Sequence, residues 1–165
     1  MTALMSWPPN FTLQELTYSQ TAKRLGIPNQ PTQTQAERLR ELASDVLQPA
    51  RNALGRIRIT SGYRSPTLNA SLPGTAQRSD HMAIYKGETL IVAADIVALE
   101  SSQLKLFRWL WVHVPWSRLI WEYGGAWIHV SYGEDRRGRT PVRTGEGPNE
   151  AKYISLAMEP GAFNG

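Results

Sequence analysis

The sequence predicts an α+β fold, with helices packed on a mostly antiparallel sheet and a cleft at that sheet. Three observations lead there. Apolar residues recur at helix spacing through the first third of the chain, strand-like alternation dominates the second half, and "YGGA" between two alternating stretches carries the glycines of a tight hairpin. The 165 residues are enough for one domain with a real hydrophobic core. We expect a single domain over residues 1–165, its core spanning about residues 10–132 and residues 133–165 forming a C-terminal extension.

Thr12 and Glu15 in "FTLQEL" have capping-box spacing, which predicts a short N-terminal helix that "IPNQPTQ" then ends. A longer helix is expected from Gln35 to Leu54, where Leu39, Leu42, Val46, Ala50 and Leu54 recur every three or four positions; Pro49 is placed to kink it. "RIRIT" (Arg56 to Thr60) alternates as a strand, "SGYRSP" reads as a turn, and "LIVAADIV" reads as a buried or half-buried strand. Ser101 or Ser102 can cap a helix running through Trp111, with Leu104, Phe107, Leu110 and Trp111 inward. Two short strands follow, "RLIWE" and "WIHVSY", joined by "YGGA". The Gly-, Arg- and Pro-rich tail has one last candidate strand at "KYISLAM".

Composition narrows the chemistry. Hydrophobic residues make up 41% and charged residues 19%, a globular balance, and no run of 18 apolar residues is present to span a bilayer. "MTALMSWPPNF" lacks the basic region, apolar core and small-residue site of a secretory signal, so any export is expected to use another route. The absence of cysteine removes disulfides, thiol catalysis and cysteine zinc sites, leaving His with carboxylates for any metal. A net charge of +4 suits an anionic partner, but the basic residues form neither a stripe with aromatics nor a known motif, so nucleic acid is not expected.

In "WIHVSY" alternation puts Ile128 and Val130 toward the core and Trp127, His129 and Ser131 on the other, exposed or cleft-facing side. The same rule places Asp95 with Ala93 and Val97, an uncomfortable position for a carboxylate unless something positive compensates its desolvation. With His81 these residues make a two-histidine, one-carboxylate set of the kind that holds catalytic zinc and leaves a fourth position for water. Spacing alone does not single this set out among three histidines and 14 acids. His113, at a helix end in "WVHVPW", is expected to be structural.

The segments "NFTLQELTYSQTAKRLGIPN", "LQPARNALG", "ITSGYRSPTLN", "SDHM", "KGE", "AADI", "LIWE" and "WIHVSY" together resemble the zinc D-alanyl-D-alanine carboxypeptidase family, in particular its phage and bacterial peptidoglycan-peptidase branch. The resemblance runs from about Asn10 to Tyr132. It implies that His81, Asp95 and His129 hold one Zn2+ ion and that Arg64, in the "SGYRS" turn, meets substrate or transition-state charge. Read on its own chemistry, the Arg64 fork suits a carboxylate or an oxyanion, or equally an ion pair that fixes the turn. Ser79 either orients His81 or its loop, or is a plain turn hydroxyl. Trp127 is a candidate to line the cleft and bind substrate.

Relatives have the form "SxHxxGxAxD", whereas here the aspartate stands fourteen positions after the histidine, twice the family's distance. "AIY" is added before "KGE" and "TLIV" after it, which predicts a β-hairpin grown out of the ligand loop, with Ile84 and Tyr85 on one arm and Leu90 to Val92 on the other. If that hairpin closes, His81 and Asp95 return to neighbouring positions. Several relatives also carry a glutamate three positions before the last histidine, where this chain has Ala126. Glu122 is the nearest acid, matches the position used in the branch this chain resembles, and is the candidate general base; a strand-end salt bridge is its other reading.

The expected function is therefore zinc-dependent hydrolysis of a peptide bond in the bacterial peptidoglycan stem, as a D-Ala-D-Ala carboxypeptidase or an endolysin-type endopeptidase. The alternative is a non-catalytic virion or cell-wall-binding protein that keeps the peptidase fold. The expected setting is a phage virion, or host cytoplasm with release to the periplasm and wall.

Overall fold

The computed structural model describes residues 6–136, 141–144 and 154–155. Its first helix, α1 (Leu13–Thr17), opens on the expected capping box: Glu15 N donates to Thr12 Oγ1 at 3.2 Å, and Thr12 N donates to the Glu15 carboxylate at 3.0 Å. A second helix follows at once. In α2 (Gln20–Leu25) Ser19 Oγ accepts from Ala22 N, and Gly26 ends it in the left-handed region, so the single short helix read from the sequence is in fact two.

The long helix begins two residues earlier than expected, because Thr32 caps it and Gln35 completes a second capping box. It runs as α3 (Gln33–Leu42), a π turn (Ala43–Leu47) and α4 (Gln48–Leu54). Pro49 does not break it. With no N–H for the Asp45 carbonyl and a ring that crowds it, the ladder widens just upstream, and Gln48 N bonds to Ala43 O. Leu39, Leu42, Val46 and Ala50 are buried along this segment, while Leu54 is half-buried.

The remaining elements are β1 (Ile57–Ser61), α5 (Pro66–Ser71), a 3-10 turn (Asp80–Met82), β2 (Ile84–Lys86), β3 (Thr89–Ala98), α6 (Gln103–His113), β4 (Arg118–Glu122), β5 (Trp127–Tyr132), β6 (Val142–Arg143) and β7 (Ile154–Ser155). The sheet order is β1-β3-β5-β4-β6-β7, with β2 paired to β3, and every pair is antiparallel except β4 with β6. The fold is α+β, as expected. Of "KYISLAM" only Ile154–Ser155 lies within the described residues, where it pairs with β6, a strand the glycine-rich tail did not announce. Among the described residues no helix is long and apolar enough to cross a membrane.

The two faces of the sheet have separate jobs. Leu90, Val92, Ala94 and Ile96 of β3, Ile128 and Val130 of β5, and Leu119 of β4 join the helix residues Leu39, Leu42, Val46, Phe107 and Leu110 in one core. The alternate residues of the same strands face away from that core. Helix α6 contributes Leu106, Phe107 and Leu110, so Leu106 takes the inward place expected for Leu104, which is half-buried. The phase is set by Gln103, whose side chain accepts from Ala98 N at 2.8 Å and ties the first turn to the end of β3; its neighbours at i+3, i+4 and i+7 then point inward.

Candidate metal centre

On the face turned away from the core, Asp95 of β3 and His129 of β5 stand opposite each other in antiparallel register. His129 Nδ1 lies 3.0 Å from Asp95 Oδ1. His81 reaches the same oxygen from the 3-10 turn, with Nε2 at 3.2 Å. The three residues are 4%, 8% and 7% exposed for His81, Asp95 and His129, and their ligand atoms all lie within 4.8 Å of one another. The structure thus gathers the three residues that the resemblance implies as metal ligands.

The hairpin makes this possible. Ile84, Tyr85 and Lys86 pair with Ile91, Leu90 and Thr89, which leaves a two-residue turn at Gly87 and Glu88. The added residues fold back on themselves, and both ends of the long spacing return to the sheet. Ser79 Oγ accepts from His81 N at 3.3 Å and caps the turn that carries the histidine.

The "SGYRS" turn supplies the other wall. A bulge between Ile59 and Ser61 puts Ser61, not Thr60, opposite Asp95 and bends the strand toward the site. Gly62 follows where a Cβ would sit 2.1 Å from Leu16 O, so only glycine permits this approach to α1. Its carbonyl accepts from His81 Nδ1 at 2.8 Å. Arg64 N donates to His81 O at 2.8 Å, and the Arg64 guanidinium donates to Ser61 Oγ and pairs with Asp95 Oδ2 at 3.5 Å. Asn29 locks the turn from behind: its amide donates to Tyr63 O, and its carbonyl accepts from Ser65 N.

These contacts bear on whether a metal fits. A carbonyl oxygen only accepts, so His81 Nδ1 carries a hydrogen, and Nε2 is the ring atom turned toward Asp95 Oδ1. A positive charge between that nitrogen and the carboxylate, whether a proton or a metal ion, satisfies both at 3.2 Å. The electrostatics agree. Burial alone would raise the Asp95 carboxyl, but the charge of His81 and hydrogen bonding from His129 hold it well below the usual carboxylate range. Burial likewise works against charge on His129, yet the neighbouring Asp80 and Asp95 carboxylates push it up to about 9. The pocket is built to hold positive charge, and its two imidazole nitrogens and one carboxylate are donors that suit zinc.

Other expected residues fall nearby. Glu122 ends β4, two positions beyond Ile120, the partner of His129 across β4 and β5, and so shares the face of His129. It is buried, and burial holds its carboxyl above the usual range against the opposing pull of Thr144 and His129. Trp127 pairs in register with Glu122, is half-buried, and lies with its ring 5.0 Å from that of Tyr123. His113 stays outside the site, exposed at the end of α6 and stacked on Trp109.

The structure also brings Asp80 and Lys86 to the site, a place beside the metal ligands that the sequence reading gives to neither. The Asp80 carboxylate is buried, with Oδ1 2.5 Å from Lys86 Nζ and Oδ2 3.9 Å from His129 Nε2. That second distance is electrostatic contact, not a hydrogen bond, and Nε2 has no hydrogen-bond partner among the described residues. The signal was only that an acid directly precedes the first histidine.

Comparison with known proteins bears on the same stretch of chain. A family described as Peptidase M15 matches residues 9–131. Neither curated proteins nor solved structures gave a match.

Proposed function

The chain belongs to the Peptidase M15 family, and on that premise we propose that it is a zinc-dependent peptidase that hydrolyses a peptide bond in the bacterial peptidoglycan stem. A phage or bacterial setting in which the chain meets the cell wall goes with that substrate. His81 through Nε2, His129 through Nδ1 and the Asp95 carboxylate would hold the zinc ion. When bound, zinc supplies Lewis acidity at a scissile carbonyl and makes water acidic enough to ionise near neutral pH.

The chain's own residues do the rest. Gly62 O keeps the hydrogen of His81 on Nδ1 and leaves Nε2 free to bind. Glu122 takes a proton from the attacking water and returns it to the leaving amine, a role that its buried, raised carboxyl suits because a base nearer neutrality can also act as an acid. Arg64 holds a substrate carboxylate or the negative charge that develops on the carbonyl oxygen, its fork already fixed by Ser61. Ser79 holds the His81 turn, and Trp127 forms part of the cleft wall.

The observation that carries this reading is the convergence of His81 Nε2 and His129 Nδ1 on one oxygen of Asp95. Zinc analysis of the purified protein, with mass spectrometry of the peptidoglycan fragments it releases, tests it. Zinc and a defined new stem terminus are expected. A protein that leaves peptidoglycan intact would instead be a wall-binding module on a peptidase fold, and one that binds no zinc would sink the zinc-peptidase reading.

A further inference from the structure

The two imidazoles of the metal centre turn different nitrogens inward, so each has an outer nitrogen that must find its own partner. His81 turns Nε2 inward, and its Nδ1 donates to Gly62 O at 2.8 Å. His129 turns Nδ1 inward, 3.0 Å from Asp95 Oδ1, so a metal held at that nitrogen puts the ring hydrogen on Nε2. Its Nε2 is buried and has no hydrogen-bond partner among the described residues. The carboxylate facing it is that of Asp80, with Oδ2 at 3.9 Å.

We propose that Asp80 and Lys86 are a positioning pair for His129, in which Lys86 holds the Asp80 carboxylate as the acceptor for the Nε2 hydrogen and so fixes the ring with Nδ1 toward the metal. The proposal rests on the metal-centre reading, and three features of this chain carry it. The Asp80 side chain is only 2% exposed, too deep for water to balance its charge. Lys86 supplies the balance from one side only: its Nζ lies 2.5 Å from Oδ1, which leaves Oδ2 as the oxygen toward His129. The backbone behind the carboxylate is also fixed, because Ser79 caps the 3-10 turn and Arg64 N donates to His81 O. At 3.9 Å the contact with Nε2 is electrostatic, and a shift of about 1 Å brings it into hydrogen-bond range.

Lys86 owes its place to the hairpin. It pairs with Thr89 where the chain reverses, and the reversal carries its ammonium back over the turn that bears Asp80, six positions earlier. The segment that lengthens the spacing between two metal ligands thereby steadies the third.

The effect on zinc has a definite sign. Acting through space alone, a cation repels zinc, and its removal would tighten binding. Acting through Asp80, it supports a ligand, and its removal loosens binding.

Zinc affinity, read by competition with a chromophoric chelator, and NMR of the ring protons in zinc-loaded protein with isotope-labelled histidine test the pair. In the wild type the His129 Nε2–H proton should lie downfield and exchange slowly with solvent. Lys86→Met should weaken zinc roughly tenfold, move that proton upfield and speed its exchange. The Nδ1–H proton of His81 should stay where it is, since Gly62 O holds it. Lys86→Arg, which keeps the charge, should behave as wild type. Adding Lys86→Met to Asp80→Asn should cost no more zinc affinity than Asp80→Asn alone, the mark of a residue that acts through another. Lys86 is exposed, and if the methionine variant does not fold, Lys86→Gln carries the same readouts. Unchanged or tighter zinc binding in a folded variant, additive losses in the double variant, or a fast-exchanging Nε2–H in the wild type would overturn the pair. A wild-type protein that takes up no zinc sinks the metal-centre reading and the pair with it, whereas zinc held equally by wild type and variants sinks the pair alone.

Discussion

Asp95 and His129 face each other across β3 and β5, 34 positions apart in sequence and 3.0 Å apart in space. The same carboxylate oxygen meets His81 at 3.2 Å, so three separate segments meet at one atom.

Zinc binding should depend on all three. The wild-type protein should carry about one zinc per chain, and His81→Ala or His129→Ala should lose it, as read by elemental analysis of the folded variants. Asp80→Asn should keep the fold but weaken zinc roughly tenfold to a hundredfold, since the Asp80 carboxylate stands in electrostatic contact behind the ligating imidazole of His129. Full zinc occupancy in both histidine variants would refute the ligand set.

Glu122→Gln should retain zinc and fold while losing roughly a hundredfold or more in turnover. The pH profile should carry the same signature. A base acts ionised, and burial raises the Glu122 carboxyl, so activity should rise with pH along a limb lying above the ordinary glutamate range. A limb at the ordinary position, or near-normal turnover in Glu122→Gln, would move the role to another acid such as Asp80 or Glu88.

Gly62→Ala should be disproportionately damaging for so small a change. The added methyl would meet Leu16 O at 2.1 Å, a backbone atom that cannot swing aside. We expect a stability loss of about 1–3 kcal/mol or more, together with weaker zinc binding because Gly62 O positions the His81 ring. Thermal melts with and without zinc separate the two effects; a variant with wild-type melting temperature and zinc affinity would contradict the packing described.

Removing Ala83–Tyr85 and Thr89–Val92 together restores the shorter family spacing and should leave zinc binding intact. Removing either arm alone should abolish it, because the remaining strand loses its partner or shifts Asp95 off the site face. The double deletion also removes Leu90 and Val92 from the core, so its melting temperature should fall. A double deletion that stays folded yet binds no zinc would show that the hairpin builds the site.

Local signals in the sequence were reliable and long-range ones were not. The capping box at Thr12, the hairpin between His81 and Asp95, and the alternation that sends His129 away from the core all depend on neighbours within a few residues. Ser65 followed by Pro66 is a helix start of the same local kind, and it opens α5 where "SGYRSP" reads as a turn. Other features depend on contacts between distant segments. The bulge that places Ser61 opposite Asp95, the anchoring of the Arg64 turn by Asn29, and the phase of α6 set by Gln103 each need a partner that no local pattern reveals. Arg64 shows the limit well: the resemblance implies a role toward substrate charge, while its ion pair with Asp95 joins two segments that no local pattern connects.

The π turn at Ala43–Leu47 gives the long helix an unusual tolerance to changes in length. Such a turn is in effect one surplus residue accommodated without rotating what lies on either side. Asp45, within it, accepts a hydrogen bond from Tyr132 at the end of β5, so the surplus is tethered to the strand that bears His129. Losing one residue here would tighten the turn against Pro49 at some cost, yet leave both flanks still facing the sheet. The same loss a few positions earlier or later would turn half the helix by about 100° and carry Leu39 and Leu42 out of the interior. Length variation among variants of this chain should therefore concentrate at that single turn.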